Sequence, residues 1–475
     1  VVQDGKVVKS GPAIEPAVPN ELQTVVADQL YNEARVKYPM VRKGFLANPG
    51  KSDTTMRGRD EWVRVSWDEA LDLVHNQLKR VRDEHGPTGI FAGSYGWFSC
   101  GSLHASRTLL HRYMNATGGF VGHKGDYSTG AAQVIMPHVL GTIEVYEQQT
   151  SWESILESSD IIVLWSANPL TTMRIAWMST DQKGIEYFKK FQASGKRIIC
   201  IDPQKSETCQ MLNAEWIPVN TATDVPLMLG IAHTLVEQGK HDKDFLKKYT
   251  SGYAKFEEYL LGKTDGQPKT AEWAAKICGV PAETIKQLAA DFSSKRTMLM
   301  GGWGMQRQRH GEQTHWMLVT LASMLGQIGL PGGGFGLSYH YSNGGVPTAT
   351  GGIIGSITAS PSGKAGARTW LDNTSNAAFP LSRIADVLQK KKKKIHYNGT
   401  EITYPDIKAV YWAGGNPFVH HQDTNTLVKA FQKPDVVIVN EVNWTPTARM
   451  ADIVLPATTS YERNDLTMAG DYSMM

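Results

Sequence analysis

The sequence predicts an α/β protein with two Rossmann-like domains, each built on a mainly parallel sheet. Two observations carry this expectation. Short apolar strands alternate with longer helical segments along most of the chain, which is the pattern of β–α–β units. A weak internal repeat runs through the same pattern. Ile162-Val163-Leu164-Trp165-Ser166-Ala167-Asn168-Pro169 is echoed by Ala409-Val410-Tyr411-Trp412-Ala413-Gly414-Gly415-Asn416-Pro417. The 475 residues suffice for roughly two to four domains with large cores.

Residues 1–56 are rich in Pro, Lys and Arg and read as an N-terminal extended region with short strands. A helical pattern runs from Trp67 through Ala70, Leu71, Val74 and Leu78, with Ser66 as its cap. The strand Gly89–Ala92 then leads into a loop containing Tyr95 and Trp97. Further strands are expected at 161–165, 197–201, 297–301, 408–412, 436–439 and 453–455. Helices are expected at 225–237, 282–292 and 315–326. The domain reading is 1–56, then 57–150 together with 350–475, then 151–335. Gly344–Gly366, rich in Gly, Ser and Thr, reads as a surface segment or lid. The lysine run Lys390–Lys394 reads as a solvated loop.

Composition excludes several classes. With 41% hydrophobic and 20% charged residues, the chain reads as globular and soluble. It contains no run of eighteen apolar residues, so no transmembrane segment is expected. A net charge of +3 gives no support for a nucleic-acid partner. The four cysteines, Cys100, Cys200, Cys209 and Cys278, form no C-x-x-C pair and no zinc or iron–sulfur spacing. No Gly-x-Gly-x-x-Gly opens a helix, so a nicotinamide site has no support.

Each half of the repeat continues in parallel. A second apolar strand ends on an acidic residue, at Ile201-Asp202 and at Asn440-Glu441, and a Thr-rich loop follows at 220–224 and 457–462. Ligands of open α/β sheets bind beyond the carboxyl ends of strands, so two matching sets of ends fit two similar nucleotide-like ligands. Strand–Asn–Pro is also simply a common exit from a sheet. Ser128-Thr129-Gly130 reads as a helix start with Ser128 or Thr129 as cap. A ligand role for Ser128 is compatible, since a helix N-terminus favours an anionic oxygen. Tyr95 and Trp97 fit either packing aromatics or hydrogen-bond donors to a substrate.

Gly125-Asp126-Tyr127-Ser128-Thr129-Gly130-Ala131-Ala132-Gln133, with Ser94-Tyr95-Gly96-Trp97 upstream, resembles the metal-facing loops of the molybdenum oxide reductases. That group comprises the dimethyl sulfoxide, trimethylamine N-oxide and biotin sulfoxide reductases. The resemblance runs from about Val36 to Met475 and includes the stretch Leu325–Gly336. It implies the multidomain molybdopterin oxidoreductase fold and a chain lacking the extreme N-terminus and the C-terminal domain that closes over the pterins. It implies molybdenum carried by two molybdopterin guanine dinucleotides, with Ser128 as the protein ligand and no iron–sulfur cluster. Tyr95 and Trp97 match the residues that face the transferred oxygen, with Gly96 between them. Thr171, Thr172, Ile201, Asp202, Thr223 and Asp224 match one pterin-nucleotide site. Trp303, Gly304, Gln306, Arg307, Asn416, His420, Asn440, Glu441 and Arg463 match the other. Thr171 departs from the lysine that the family often has.

The implied activity is two-electron reduction of an S-oxide or N-oxide, whose oxygen passes to the reduced metal and leaves as water. No ordinary side chain supplies two electrons reversibly, so such chemistry needs a cofactor. A phenol at Tyr95 further implies sulfoxide alongside amine-oxide reduction. A periplasmic location, a multihaem c-type cytochrome as electron donor and a dedicated maturation chaperone are implied in the same way. The alternatives are a nitrate reductase or formate dehydrogenase of the same superfamily, or a non-catalytic pterin-dinucleotide carrier. The first two typically carry a cysteine, selenocysteine or aspartate where this chain has Ser128.

Overall fold

Parallel strands need long crossovers, and the spacing of the apolar segments provides them. The computed structural model describes all residues except 12–20, 95–102, 126, 143–148, 176–182, 341–376 and 466–475. Its main strands, in chain order, are β1 Met40–Arg42, β2 Trp62–Arg64, β3 Ile90–Gly93, β4 Ile161–Trp165, β5 Arg197–Ile201 and β6 Glu215–Ile217. They continue with β7 Thr297–Gly301, β8 Gly334–Leu337, β9 Ala409–Ala413, β10 Val436–Glu441 and β11 Ile453–Pro456. One sheet has the order β8-β7-β4-β5-β6 and is parallel throughout. The other has the order β2-β1-β11-β10-β9-β3. There β11, β10, β9 and β3 are parallel, while β1 and β2 add an antiparallel edge.

The central strands are apolar on both faces because both faces are covered. In β4, Ile161, Val163 and Trp165 enter one core while Ile162 and Leu164 enter another. In β9, Val410 and Trp412 face one way and Ala409, Tyr411 and Ala413 the other. The two-residue period of a strand produces this split.

Four helices matter below: α1 Trp67–His85, α2 Gly130–Leu140, α3 Asp224–Glu237 and α4 Glu312–Met324. Ser66 starts α1 with a complete capping box. Its hydroxyl accepts from the Glu69 amide at 3.2 Å, and the Glu69 carboxylate accepts from the Ser66 amide at 2.8 Å. Ala70, Val74 and Leu78 face the core as expected, but Leu71 does not. It is 51% exposed, one turn from the half-exposed Trp67 on the outer row of the helix.

Four other expectations change. Strand ends move by one or two residues, since pairing persists wherever a neighbour offers partners; Glu441 at the end of β10 still pairs with Pro456. Helix α4 opens at Glu312 rather than His315, its first turn being polar. Residues 1–56 are not a separate region, because β1 is an integral strand of the six-stranded sheet. The boundary expected at residue 150 is also crossed. Helix α2 places Met136 in the core against the five-stranded sheet, with Ile135 and Val139 packed beside it.

The lysine run is solvated, and carboxylates hold it. Lys390 and Lys393 approach Asp386, Lys391 reaches Asp406, and Lys394 pairs with Glu401 at the start of a small hairpin. The segment Gly344–Gly366 lies outside the described residues. Cys200, Cys209 and Cys278 are buried free thiols, and Cys100 lies outside the described residues.

Candidate functional site

In the five-stranded sheet the strand order reverses between β4 and β7. In the six-stranded sheet the chain leaves β3 and β9 to opposite faces, with Leu110 and Met114 after β3 in one core and Phe418 and Leu427 after β9 in the other. A crevice forms at the carboxyl ends of strands at such a point, because the connections depart to opposite sides. Glycine keeps the backbones close there. A Cβ on Gly302, just after β7, would lie 1.9 Å from the Ser166 carbonyl oxygen, and one on Gly93 would lie 2.2 Å from the Trp412 ring.

The internal repeat proves to be geometric. Asn168 and Asn416 have nearly the same backbone, with φ/ψ of −125°/76° and −131°/84°, and each begins a four-residue helix with proline first. The Asn168 carboxamide oxygen accepts from the Thr208 hydroxyl, and that of Asn416 accepts from Thr447. Those hydroxyls also accept backbone N–H groups, Leu170 at 3.0 Å and Phe418 at 3.4 Å. Ser206 and Thr445, each two residues earlier, cap the helices that carry them. Sequence reading missed Thr208 and Thr447. The signal was present, since each follows the acidic strand end, Asp202 or Glu441, by the same number of residues.

The acidic groups at these ends are desolvated. Burial raises the carboxyl pKa values of Asp202, Asp224 and Glu441. Asp224 accepts from the Trp165 indole N–H at 2.9 Å. Thr171 donates to Glu207 at 2.8 Å, and Thr172 donates to the carbonyls of Asn168 and His340. Arg463 donates to its own loop at the Thr458 carbonyl, 2.8 Å away. Ile201 ends β5, Asn440 stands next to last in β10, and Thr223 precedes α3.

Ser128 lies in the loop that enters α2, and Thr129, not Ser128, is the N-cap residue of that helix. The Thr129 side chain makes no capping bond; its hydroxyl accepts from Gln133 instead. Gln306 and Arg307, which follow β7, reach this loop. Gln306 Nε2 donates to the Ser128 carbonyl at 2.8 Å, and its Oε1 accepts from the Ala132 amide at 3.0 Å. Arg307 donates to the carbonyls of Tyr127 at 2.9 Å and Ser128 at 3.4 Å. The Tyr127 ring lies 4.5 Å from that of His420, and its hydroxyl is 3.2 Å from His421 Nδ1. The Ser128 loop therefore bridges the two crevices.

The grouping expected from sequence differs from the grouping by sheet. Trp303, Gly304, Gln306 and Arg307 stand on the five-stranded sheet with Thr171, Asp202 and Asp224, because β7 pairs directly with β4. Asn416, His420, Asn440, Glu441 and Arg463 belong to the other sheet. Tyr95, Gly96 and Trp97 lie outside the described residues, although Ser94 before them is buried at the end of β3.

A model of the molybdopterin oxidoreductase family matches residues 35–475. The chain belongs to the molybdopterin oxidoreductase family. It is 97% identical over all 475 residues to a trimethylamine-N-oxide reductase of Haemophilus influenzae. It is 52% identical over 472 residues, 99% of the chain, to a dimethyl sulfoxide/trimethylamine N-oxide reductase of Cereibacter sphaeroides. It spans 58% and 57% of the lengths of those two relatives. Acetylene hydratase from Pelobacter acetylenicus shares the fold, with a TM-score of 0.63 at 18% identity over 98% of this chain and 61% of that one. Family membership implies a molybdenum–molybdopterin cofactor.

The residues present fit such a group. Asn440 Oδ1 and Ser94 Oγ are buried at the strand ends on either side of β9, with no hydrogen-bond partner among the described residues. Two polar atoms so placed are costly unless a ligand meets them. Ser128 offers a hard oxygen of the kind an oxygen-seeking metal prefers. No helix among the described residues is long and apolar enough to cross a membrane.

Buried histidines brace the site in neutral form. Burial pushes His315 down to about 4, and its Nε2 lies 3.2 Å from the Gly302 carbonyl, where it donates. In the unfolded chain a histidine titrates near ~6.5. Between these values the unfolded chain binds the proton and the folded chain does not. The stability that His315 contributes is therefore complete above pH 6.5 and falls away as pH drops toward 4. His315→Gln keeps a donor but cannot titrate. The stability advantage of wild type over this variant in urea should shrink from about pH 7 to about pH 5. A constant difference would contradict the assignment.

Proposed function

We propose that the full-length protein is a molybdenum-dependent reductase of N-oxides and S-oxides, with the metal held by two molybdopterin guanine dinucleotides and by Ser128. The observation that carries this reading is the matched pair of crevices joined by one loop. Each has the same Asn–Thr lock and the same acidic strand end, and the Ser128 loop lies between them. Two similar nucleotides converging on one metal fit that arrangement. The names of the two relatives, oxide reductases both, support the substrate class.

Bound there, the metal would supply two electrons and take up the substrate's oxygen. The chain's own part is binding and placement. Asp202, Asp224 and Glu441 would accept from guanine and ribose donors, which would repay their desolvation. Arg463 and Arg307 suit a diphosphate, given the geometry of the guanidinium fork. Asn440 and Ser94 offer the polar atoms noted above. Trp303 and Gly304 would lie against a planar ring. Tyr95 and Trp97 would donate hydrogen bonds to the oxide oxygen as charge develops. A periplasmic location, a multihaem c-type cytochrome donor and a maturation chaperone belong to this proposal through the resemblance of the loops.

Metal and nucleotide analysis of the full-length protein tests the cofactor. One molybdenum and two guanine dinucleotides per chain are expected, and a single pterin would break the two-crevice reading. Oxidation of a reduced dye by trimethylamine N-oxide and by dimethyl sulfoxide tests the reaction. Turnover with nitrate or formate and none with either oxide would overturn it.

A further inference from the structure

We propose that Gln306 is the positioning residue for Ser128, holding it out of helix α2 so that its hydroxyl oxygen points where a metal can use it. This rests on the reading of Ser128 as the metal ligand. The hydrogen bonds make the case. In a helix, the Ser128 carbonyl would accept from the amide four residues on, that of Ala132. That bond is not made. The Gln306 carboxamide stands between the two groups, donating to the Ser128 carbonyl at 2.8 Å and accepting from the Ala132 amide at 3.0 Å. The first bond of α2 is consequently Gln133 N–H to the Thr129 carbonyl, 2.9 Å, one residue later.

Ser128 is pinned on both sides. The carbonyl before it, of Tyr127, accepts from Arg307, and its own carbonyl accepts from Gln306 and Arg307. Fixing both flanking peptide planes fixes φ and ψ, and with them the direction of Cα–Cβ. A carboxamide is the group for this task. Glutamate at neutral pH cannot donate, and lysine or arginine cannot accept. Gln306 is itself only 6% exposed, and its backbone is crowded, since a Cβ on Gly311 would lie 1.9 Å from the Gln306 carbonyl oxygen. The clamp comes from the five-stranded sheet and acts on the loop bridging to the other sheet, so it also ties the ligand position to the relation between the crevices.

The test uses the full-length protein with Gln306→Met, which removes both bonds at similar volume, and Gln306→Glu, which keeps the acceptor for Ala132. In the metal-free protein, amide hydrogen exchange over residues 128–133 should accelerate in Gln306→Met. In the holoenzyme, molybdenum content should be retained, the visible absorption should shift or broaden, and kcat should fall by about 10–100-fold with little change in KM. Gln306→Glu should move absorption and kcat the same way with less change in exchange. Unchanged exchange in Gln306→Met removes the clamp. Faster exchange with wild-type absorption and kcat removes its positioning role. If Gln306→Met does not load metal, wild-type absorption and kcat in Gln306→Glu also overturn the proposal. Failure of the ligand reading shows elsewhere, as an unchanged spectrum in Ser128→Ala.

Discussion

Turnover of Ser128→Ala is expected to fall by on the order of 100-fold or more, with a changed visible spectrum of the loaded enzyme and nearly unchanged folding stability. Sequence alone left Ser128 divided between a helix cap and a metal ligand. A cap replaced by alanine costs about 1 kcal/mol and leaves turnover per folded molecule intact. The structure places the N-cap at Thr129, and the buried first-turn amide of Ala132 is met by Gln306 rather than by a local hydroxyl. The stability term for Ser128 should therefore be smaller than that of a true cap. Ser128→Cys restores a protein ligand through a softer sulfur, which should shift the spectrum and slow turnover rather than abolish it. The decisive measurements are the absorption spectrum and single-turnover rate of metal-loaded Ser128→Ala. Wild-type values for both would remove Ser128 from the chemistry.

Asp452→Ala should cost about 3–5 kcal/mol of stability, the largest effect expected of any single polar group here. Asp452 is fully buried after α-helical residues 446–449, and so are its partners Arg42 and Arg57. Arg42 Nε donates to it at 2.9 Å, and the Arg57 guanidinium donates to both its oxygens. The Val437 amide also donates to it, at 2.9 Å. Arg42 also reaches Asp60 at 3.0 Å and Ser52 at 2.6 Å, and Arg57 reaches the Phe431 carbonyl at 2.6 Å. Removing Asp452 strands Arg57 without a carboxylate in a dry interior, where desolvation dominates. Denaturant unfolding measures this directly, and a loss below about 1 kcal/mol would show that the network is not what fastens β1 to β11. The exposed pair Lys43–Glu61 provides the contrast, since water and salt screen it and its removal should leave stability nearly unchanged.

Much of the fold was legible because its causes are local. The cap at Ser66 acts within one turn of helix, and the short continuous apolar runs at 161–165 and 197–201 read as buried strands from a few residues each. The repeat was visible for the same reason, as were Asn168, Asn416, Asp202 and Glu441, since each half is a short string of residues. Leu71 shows the limit even at this range: an apolar residue in a helical pattern faces solvent, because only packing says which row of the helix is covered.

Long-range relations were decided by the tertiary structure. Nothing in the sequence places β3 beside β9, or β1 and β2 on the edge of the six-stranded sheet, yet the first of these creates a crevice and the second undoes the expected boundary at residue 56. Gln306 and Arg307 carried a match to a nucleotide site, and their observed partners are carbonyls and an amide of the Ser128 loop far away in the chain. Asp452 carries no local signal in the sequence, yet it is the centre of a buried ion cluster. Backbone propensities, caps and side-chain periods act over a few residues and can be read from the string. Which strands adjoin, and which buried charges must therefore meet, depends on how whole sheets close their cores, and the sequence carries that only collectively.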